Sequence, residues 1–517
     1  MNSDERAQKG SNHRHFSRRK FIAGAAGLSA GAMVGGQLPS VAHAAETGDA
    51  IHGTELRGMY LTSKNRLAEG RFGTMFKKLP AFAPPDDLLD SLAQKMVEPD
   101  TSDGFLATGS RLFAGFTFIG QFLDHDITLD TTPLNLQRED PNATVNFRTA
   151  RYDLDSVYGR GPADDPQLYE PNDPDRLLLK ANVNGVLDVP RDDNGNAIIG
   201  DKRNDENLII VQFHKAVIQF HNKIVEYVRA QGMRKEWVFE TARRLTRWHY
   251  QWAVIHDFLP RFVGDGLVGT NGAVYKEIAG KSPVINLSYY KPTNKDGRPF
   301  MPVEFAVAAY RFGHSIIRPF YVINDTGPVD VFGPSGGHNL NGGRPIPSDL
   351  VMDWKNILPD LGNPDARKPR KIDTKLSIPL SNLPGSAVPP PDPTINLAVR
   401  NNRRGKKVGL PSGQQVAKAM RVTPLSNSAL GLTESGWGGE APLWFYILKE
   451  AELPPYNGEQ LGPVGGRIMA EVLVGLLQRD PNSYLYLDPS WKPTPPIANP
   501  TTGKFAFADL LKYAGAA

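Results

Sequence analysis

Apolar positions along the chain fall mostly at helical spacing. Phe113 to Ile127 is apolar with polar residues three and four apart, and Leu208 to Ala230 carries Leu, Ile, Val and Phe at i, i+3 and i+4. Trp237 to Phe262 predicts another long amphipathic helix, Val303 to Ile317 a shorter one, and Gly466 to Leu477 a buried helix near the end. Between them, residues 129–148, 160–200, 320–350 and 380–400 are rich in Pro, Asp, Asn and Gly and predict loops. The stretch through Gly385 and Pro389-Pro390-Pro391 reads as a crossing segment rather than a folded element. No internal repeat is visible. The expectation is a mainly α chain: one large helical domain with long irregular loops and little β.

The first 45 residues depart from this pattern. Ser17-Arg18-Arg19-Lys20-Phe21-Ile22 opens an Ala/Gly-rich apolar stretch that ends in Ala42-His43-Ala44. A basic start, a moderately apolar middle and a small-residue cleavage site make an export signal. The paired arginines point to the twin-arginine route, hence to a periplasmic or extracellular destination. The stretch is short and interrupted for a membrane span, and no other segment approaches one. Residues 46–517 are then the single domain.

Composition narrows the chemistry. At 517 residues, 40% hydrophobic and 22% charged, the chain can bury a large core. Residues 1–44 hold six Lys/Arg against two Asp/Glu, which is the whole formal surplus of +4. The remainder is near neutral, so nucleic-acid binding loses its main support. There are no cysteines, which excludes disulfides, thiolate nucleophiles, iron–sulfur clusters and cysteine-ligated haem or zinc. Any metal must be held by His, carboxylates or carbonyls.

The most informative stretch is Phe118-Ile119-Gly120-Gln121-Phe122-Leu123-Asp124-His125-Asp126-Ile127-Thr128. On a helix Gln121 and His125 share a face, with Asp124 and Asp126 projecting to either side. Two carboxylates beside a histidine in an apolar helix are costly to bury without partners; a cation or cofactor on each side would supply them. Further on, Thr149, Asp153 and Asp155 offer oxygens at short intervals and Arg151 can offer its carbonyl, a set suited to calcium. Asp126 would complete it. Arg203 and Glu206 share a face before the helix that begins near Leu208. Tyr310-Arg311-Phe312-Gly313-His314 lies in an apolar helical stretch, and Gly313 leaves room for a flat ring against the backbone.

Gly120 to Asp126 resembles the distal-helix signature of the animal haem peroxidases. The other motifs follow in that family's order, from about residue 104 to 477. The resemblance implies haem b and calcium as cofactors. His125 would be the acid–base catalyst and Gln121 would lie over the haem. Arg203 would be the catalytic arginine. Asp124 and Glu206 would form ester links to the haem, and Asp126, Thr149, Arg151, Asp153 and Asp155 would bind calcium. His314 would ligate the iron, Arg311 would pair with a propionate, and Asn401 would hold the other nitrogen of His314, with Asn402 as the alternative. His221-Asn222 also resembles the family's helix and reads as structural.

Two departures stand out. Asn207 replaces the methionine that forms a sulfonium link in myeloperoxidase, which weighs against chloride as donor. Lys406-Lys407-Val408 replaces the family's Arg-Asp-His before Gly-Leu-Pro. The implied activity is reduction of hydrogen peroxide with oxidation of halides, thiocyanate or phenolic donors. Two rivals carry the same fold. A fatty-acid oxygenase would need a tyrosine three residues before the proximal histidine, where Arg311 stands; Tyr310 is about 100° of helix away. A peroxinectin-like adhesion protein is the other, although no Arg-Gly-Asp occurs.

Overall fold

The computed structural model describes residues 72–98, 111–129, 148–291, 299–334, 336–384, 394–433 and 435–517. The stretch expected as an export signal, most of the 129–148 loop and the proline-rich crossing at 385–393 lie outside them. All described residues belong to one unit, Ile51–Ala517.

Helices dominate. The longer ones are α1 (Asp86–Lys95), α2 (Ala114–Ile127), α3 (Leu208–Ala230), α4 (Val238–Ala253), α5 (Leu397–Lys407), α6 (Leu443–Glu452), α7 (Pro463–Arg479) and α8 (Phe507–Ala514). The described strands are two to five residues long. No described helix is long and apolar enough to cross a membrane.

The centre of the core is α3, which packs against α4, α8 and α2. It starts where it does because Asn207 caps it: its Oδ1 accepts from the amides of Ile209 (3.1 Å) and Ile210 (2.9 Å), satisfying donors the first turn cannot. Replacing Asn207 by Ala is expected to lower stability by about 1 kcal/mol, read as a shift in the urea midpoint with an unchanged slope. No shift would remove the cap from the account.

Two helical expectations need correction in their winding. The Trp237 to Phe262 segment is not one α-helix: after α4 it widens into a π-turn over Val254–Phe258 before Leu259–Val263. Pro260 lacks the N–H that would serve the carbonyl four residues back, and the wider turn accommodates it. The segment expected as a helix from Val303 to Ile317 is a π-turn, Glu304–Ala308, followed by a 3₁₀ run, Ala309–His314. The winding breaks at Ala308 (φ −125°, ψ −73°), and the Arg311 guanidinium donates to the Ala306 carbonyl at 2.9 Å.

The loops are also less bare than their composition suggests. Within 160–200, Tyr169–Glu170 pairs with Asp173–Leu177 and Lys180–Ala181 with Leu187–Asp188; within 320–350, Phe320–Val322 pairs with Pro328–Asp330. Turn residues mark where the chain reverses but do not reveal that the short flanks then pair.

Candidate active site

Burial singles out the reactive face of α2. Its residues are all buried except Gln121 and Asp124, and His125 is 4% exposed. Phe116, Phe118, Ile119, Phe122, Leu123 and Ile127 anchor the helix at roughly 1.5–3 kcal/mol each, which opposes the cost of taking His125 and Asp126 out of water. Gly120 lets neighbours come close: Tyr310 donates its hydroxyl to the Gly120 carbonyl at 3.0 Å.

Gln121 and Asp124 turn toward Glu206 and Arg311, and with the open side of Gly313 these accessible groups mark a hollow. Gln121 Nε2 donates to Glu206 Oε2 at 3.3 Å, and Asn207 Nδ2 donates to Gln121 Oε1 at 3.3 Å. The Glu206 carboxylate lies 4.0 Å from His125 Nε2. Its side chain is 53% accessible, yet burial among protein groups pushes its carboxyl up to about 7. Both hold if it borders an internal hollow rather than bulk water. Asp124 binds the Thr128 hydroxyl (2.9 Å) and faces Arg311 Nη1 at 3.7 Å. Burial pushes the Asp124 carboxyl up, but Arg311, His125, Arg203 and Thr128 outweigh it and hold it below the usual range.

His125 Nδ1 lies 2.9 Å from Asn204 Oδ1. Burial, reinforced by Arg203, lowers its pKa to about 4, so the imidazole is neutral near pH 7. Arg203 is pinned by Asp201 (Nη2 to Oδ2, 2.8 Å) and by the His125 carbonyl (2.9 Å). Asp201 also binds the fully buried Arg148 (Nε, 3.0 Å), whose Nη1 meets Asp155 at 3.0 Å. Negative and positive groups thus alternate from Asp155 through Arg148 and Asp201 to Arg203. Sequence reasoning missed Asn204, Arg148 and Asp201.

On the facing side, the 3₁₀ run ending at His314 is packed by α6 and α7, and Trp444 donates to the Arg311 carbonyl at 3.1 Å. Asn401 Nδ2 lies 2.7 Å from His314 Nδ1, which separates it from Asn402, whose amide meets Met96 instead. Burial lowers the His314 pKa to about 3. A Cβ placed on Gly313 would meet nothing within 4 Å. Open space beside a neutral histidine, walled by the accessible residues of α2, fits a flat haem.

Below α2 lies the acidic cluster. Carboxylate oxygens of Asp126, Asp153 and Asp155 come within 4.8 Å of one another. Asp126 is fully buried and, among the described residues, neither of its carboxylate oxygens has a hydrogen-bond partner; burial, then Asp153 and Asp155, push its pKa well up. Thr149 joins through a hydrogen bond to Asp153 (2.8 Å). Arg151 turns its side chain toward Asp480, 4.0 Å away. Three converging carboxylates, one of them orphaned, suit a hard cation. His221 bridges Tyr158 (2.9 Å) and the Asp175 carbonyl (2.9 Å) and takes no part in the site.

The profile of the animal haem peroxidase family matches residues 128–428. The chain belongs to the animal haem peroxidase family. It is therefore a member of a haem-binding family, and the matched span includes Arg203, Glu206, Arg311, His314 and Asn401. It begins one residue after α2, so Gln121, Asp124, His125 and Asp126 stand on their motif and geometry. A peroxidase-like protein of Margaritifera margaritifera is 24% identical over 318 residues (54% of this chain, 36% of that protein). Peroxidasin of Drosophila melanogaster is 24% identical over 308 residues (54% and 18%), and human thyroid peroxidase 23% over 210 (36% and 21%). The chain thus spans little more than a third of these relatives at most. In fold it resembles peroxidase A of Dictyostelium discoideum (TM-score 0.55, 16% identity, 81% of this chain and 87% of that one). It also resembles the fatty acid alpha-dioxygenase of Arabidopsis thaliana (TM-score 0.53, 14% identity, 80% and 73%). The helical peroxidase fold expected from the sequence is the fold observed.

Proposed function

We propose that this family member is a haem-dependent peroxidase that reduces hydrogen peroxide and oxidises a small donor such as a halide, thiocyanate or a phenol. The observation that carries the reading is the pairing of faces. The accessible positions of α2 are Gln121 and Asp124; Gln121 meets Glu206, and Asp124 faces Arg311, three residues before His314. Bound haem b would supply the redox chemistry, held through His314, Arg311, Asp124 and Glu206, the last two by ester links.

The chain's own residues then manage charge and protons. His125, neutral at working pH, takes a proton from peroxide at Nε2 and returns it to the leaving oxygen. Arg203 is held on two sides, so its charge is already in place where negative charge develops. Gln121, bound by both Glu206 and Asn207, is fixed over the same space. Asn401 orients His314. With the amide turned so that its oxygen accepts from Nδ1–H, Nε2 is free to ligate. Asn401→Ala is expected to weaken haem binding about 10–100-fold, measured by titrating the apo-chain and following the Soret band; unchanged affinity would detach Asn401 from His314.

Calcium completes the proposal, held by Asp126, Thr149, Arg151, Asp153 and Asp155. Residues 1–45 read as an export signal, which would place the enzyme outside the cytoplasm. The fatty-acid oxygenase reading is disfavoured by Tyr310, whose hydroxyl is buried and committed to the Gly120 carbonyl.

The deciding experiment is an absorbance spectrum of the haem-reconstituted protein before and after peroxide. A Soret band that shifts and then recovers with bromide or a phenol supports the peroxidase. A band indifferent to peroxide, with oxygen uptake on adding a fatty acid, supports the oxygenase. Failure to bind haem in the presence of calcium sinks both.

A further inference from the structure

Behind His125 stands a second histidine that reaches none of the groups facing the hollow. His214, on α3, is 1% exposed, and Asn204 between the two rings is 0% exposed. Asn204 Oδ1 lies 2.9 Å from His125 Nδ1, and its Nδ2 lies 3.0 Å from His214 Nδ1. We infer that His214 and Asn204 act as a positioning pair that sets the tautomer of His125, keeping its proton on Nδ1 and its Nε2 lone pair toward the hollow.

The argument is one of matching donors to acceptors. An amide nitrogen only donates and an amide oxygen only accepts. A neutral imidazole has one N–H and one lone pair. With Nδ2 of Asn204 donating to His214 Nδ1, that nitrogen is the acceptor and the His214 proton sits on Nε2, which is buried with no hydrogen-bond partner among the described residues. The amide oxygen is then committed to His125, whose Nδ1 must be the donor. Burial lowers the pKa of His214 to about 4, so it stays neutral. The amide could turn over only if both rings exchanged protons as well, so the three groups change together or not at all. Asn401 differs: among the described residues its amide meets His314 alone, so it can turn without a second ring changing its proton. The reverse tautomer of His125 would present an N–H to peroxide and could not take its proton. That catalytic consequence rests on the peroxidase reading, but the tautomer does not.

The test is therefore made on the haem-free full-length chain. Nitrogen-15 NMR of a histidine-labelled sample near pH 7 separates protonated from bare ring nitrogens, with His125→Gln and His214→Phe used for assignment. The expected wild-type result is a protonated Nδ1 and bare Nε2 for His125, and the opposite for His214. In His214→Phe the amide loses its anchor and the His125 signals should move toward a mixture; equal populations would cut the competent fraction about twofold. In Asn204→Asp, whose oxygens accept from both rings, His125 should keep its tautomer while His214 switches. A wild-type His125 protonated on Nε2, or signals unmoved in His214→Phe, overturns the proposal. Should His214→Phe fail to fold, the wild-type and Asn204→Asp spectra still decide. A fixed tautomer in a chain that shows no peroxide reaction would uphold the pair and reject the peroxidase reading.

Discussion

Replacing His125 by Gln lowers the rate of peroxide reduction by about 10²–10⁴-fold, the usual worth of a placed acid–base group, while haem uptake stays intact. Gln has similar reach and can still accept or donate a hydrogen bond at Asn204, so the helix keeps its packing, but it has no basic nitrogen. Retained Soret absorbance with lost peroxide response is the expected signature. The wild type carries a second mark. Because burial lowers the pKa of His125 to about 4, the imidazole is still bare in moderate acid, where an ordinary histidine would be half protonated near 6.5. The rate of peroxide reduction should hold from neutral pH downward and fall only as pH approaches 4. A glutamine variant within threefold of wild type would end the assignment of His125 as the base.

The second large effect concerns Asp126. In excess chelator, burial and the neighbouring Asp153 and Asp155 outweigh Arg148 and Arg247 and raise the folded pKa of Asp126. A raised folded pKa favours the protonated folded state. Its stabilising share is present below the unfolded carboxylate pKa and is lost as pH rises through the folded value. The ion-free chain should therefore become less stable as pH increases, and calcium should reverse this. At an ion concentration of about 100 times Kd the gain is about 2.7 kcal/mol, visible as a rise in Tm. Asp126→Asn should flatten the pH dependence in chelator and abolish the gain from calcium. A wild-type Tm indifferent to calcium at neutral pH would refute the ion site.

Much of this was legible in the sequence. The apolar runs of α2 and α3 gave those helices nearly to the residue, because a helix buried on most sides has few alternatives. The alternation of oxygens near Asp153 gave the acidic loop, and Gly313 gave the open face beside His314. What stayed hidden involves separation along the chain. Asn204 meets His125 across 79 residues and Arg148 meets Asp201 across 53, and no local pattern marks an arginine or asparagine as the partner of something so distant. Asn207 shows the opposite case: read only as a missing methionine, it is a helix cap and a support for Gln121, which an Asn directly before an apolar run could have signalled. The π and 3₁₀ winding before His314 was also out of reach, since the spacing of apolar residues does not separate these from an α-helix over two or three turns.

The alternating charges from Asp155 through Arg148 and Asp201 to Arg203 have a consequence for what a single substitution does. Arg148 is wholly buried between two carboxylates, and such a group is tolerated only when its neighbours are already in place. The four groups therefore depend on one another. Removing the charge of Asp155 would leave Arg148 leaning on Asp201 alone, and Asp201 is the same carboxylate that holds Arg203. A change of charge at the acidic loop is thereby felt at the arginine beside His125.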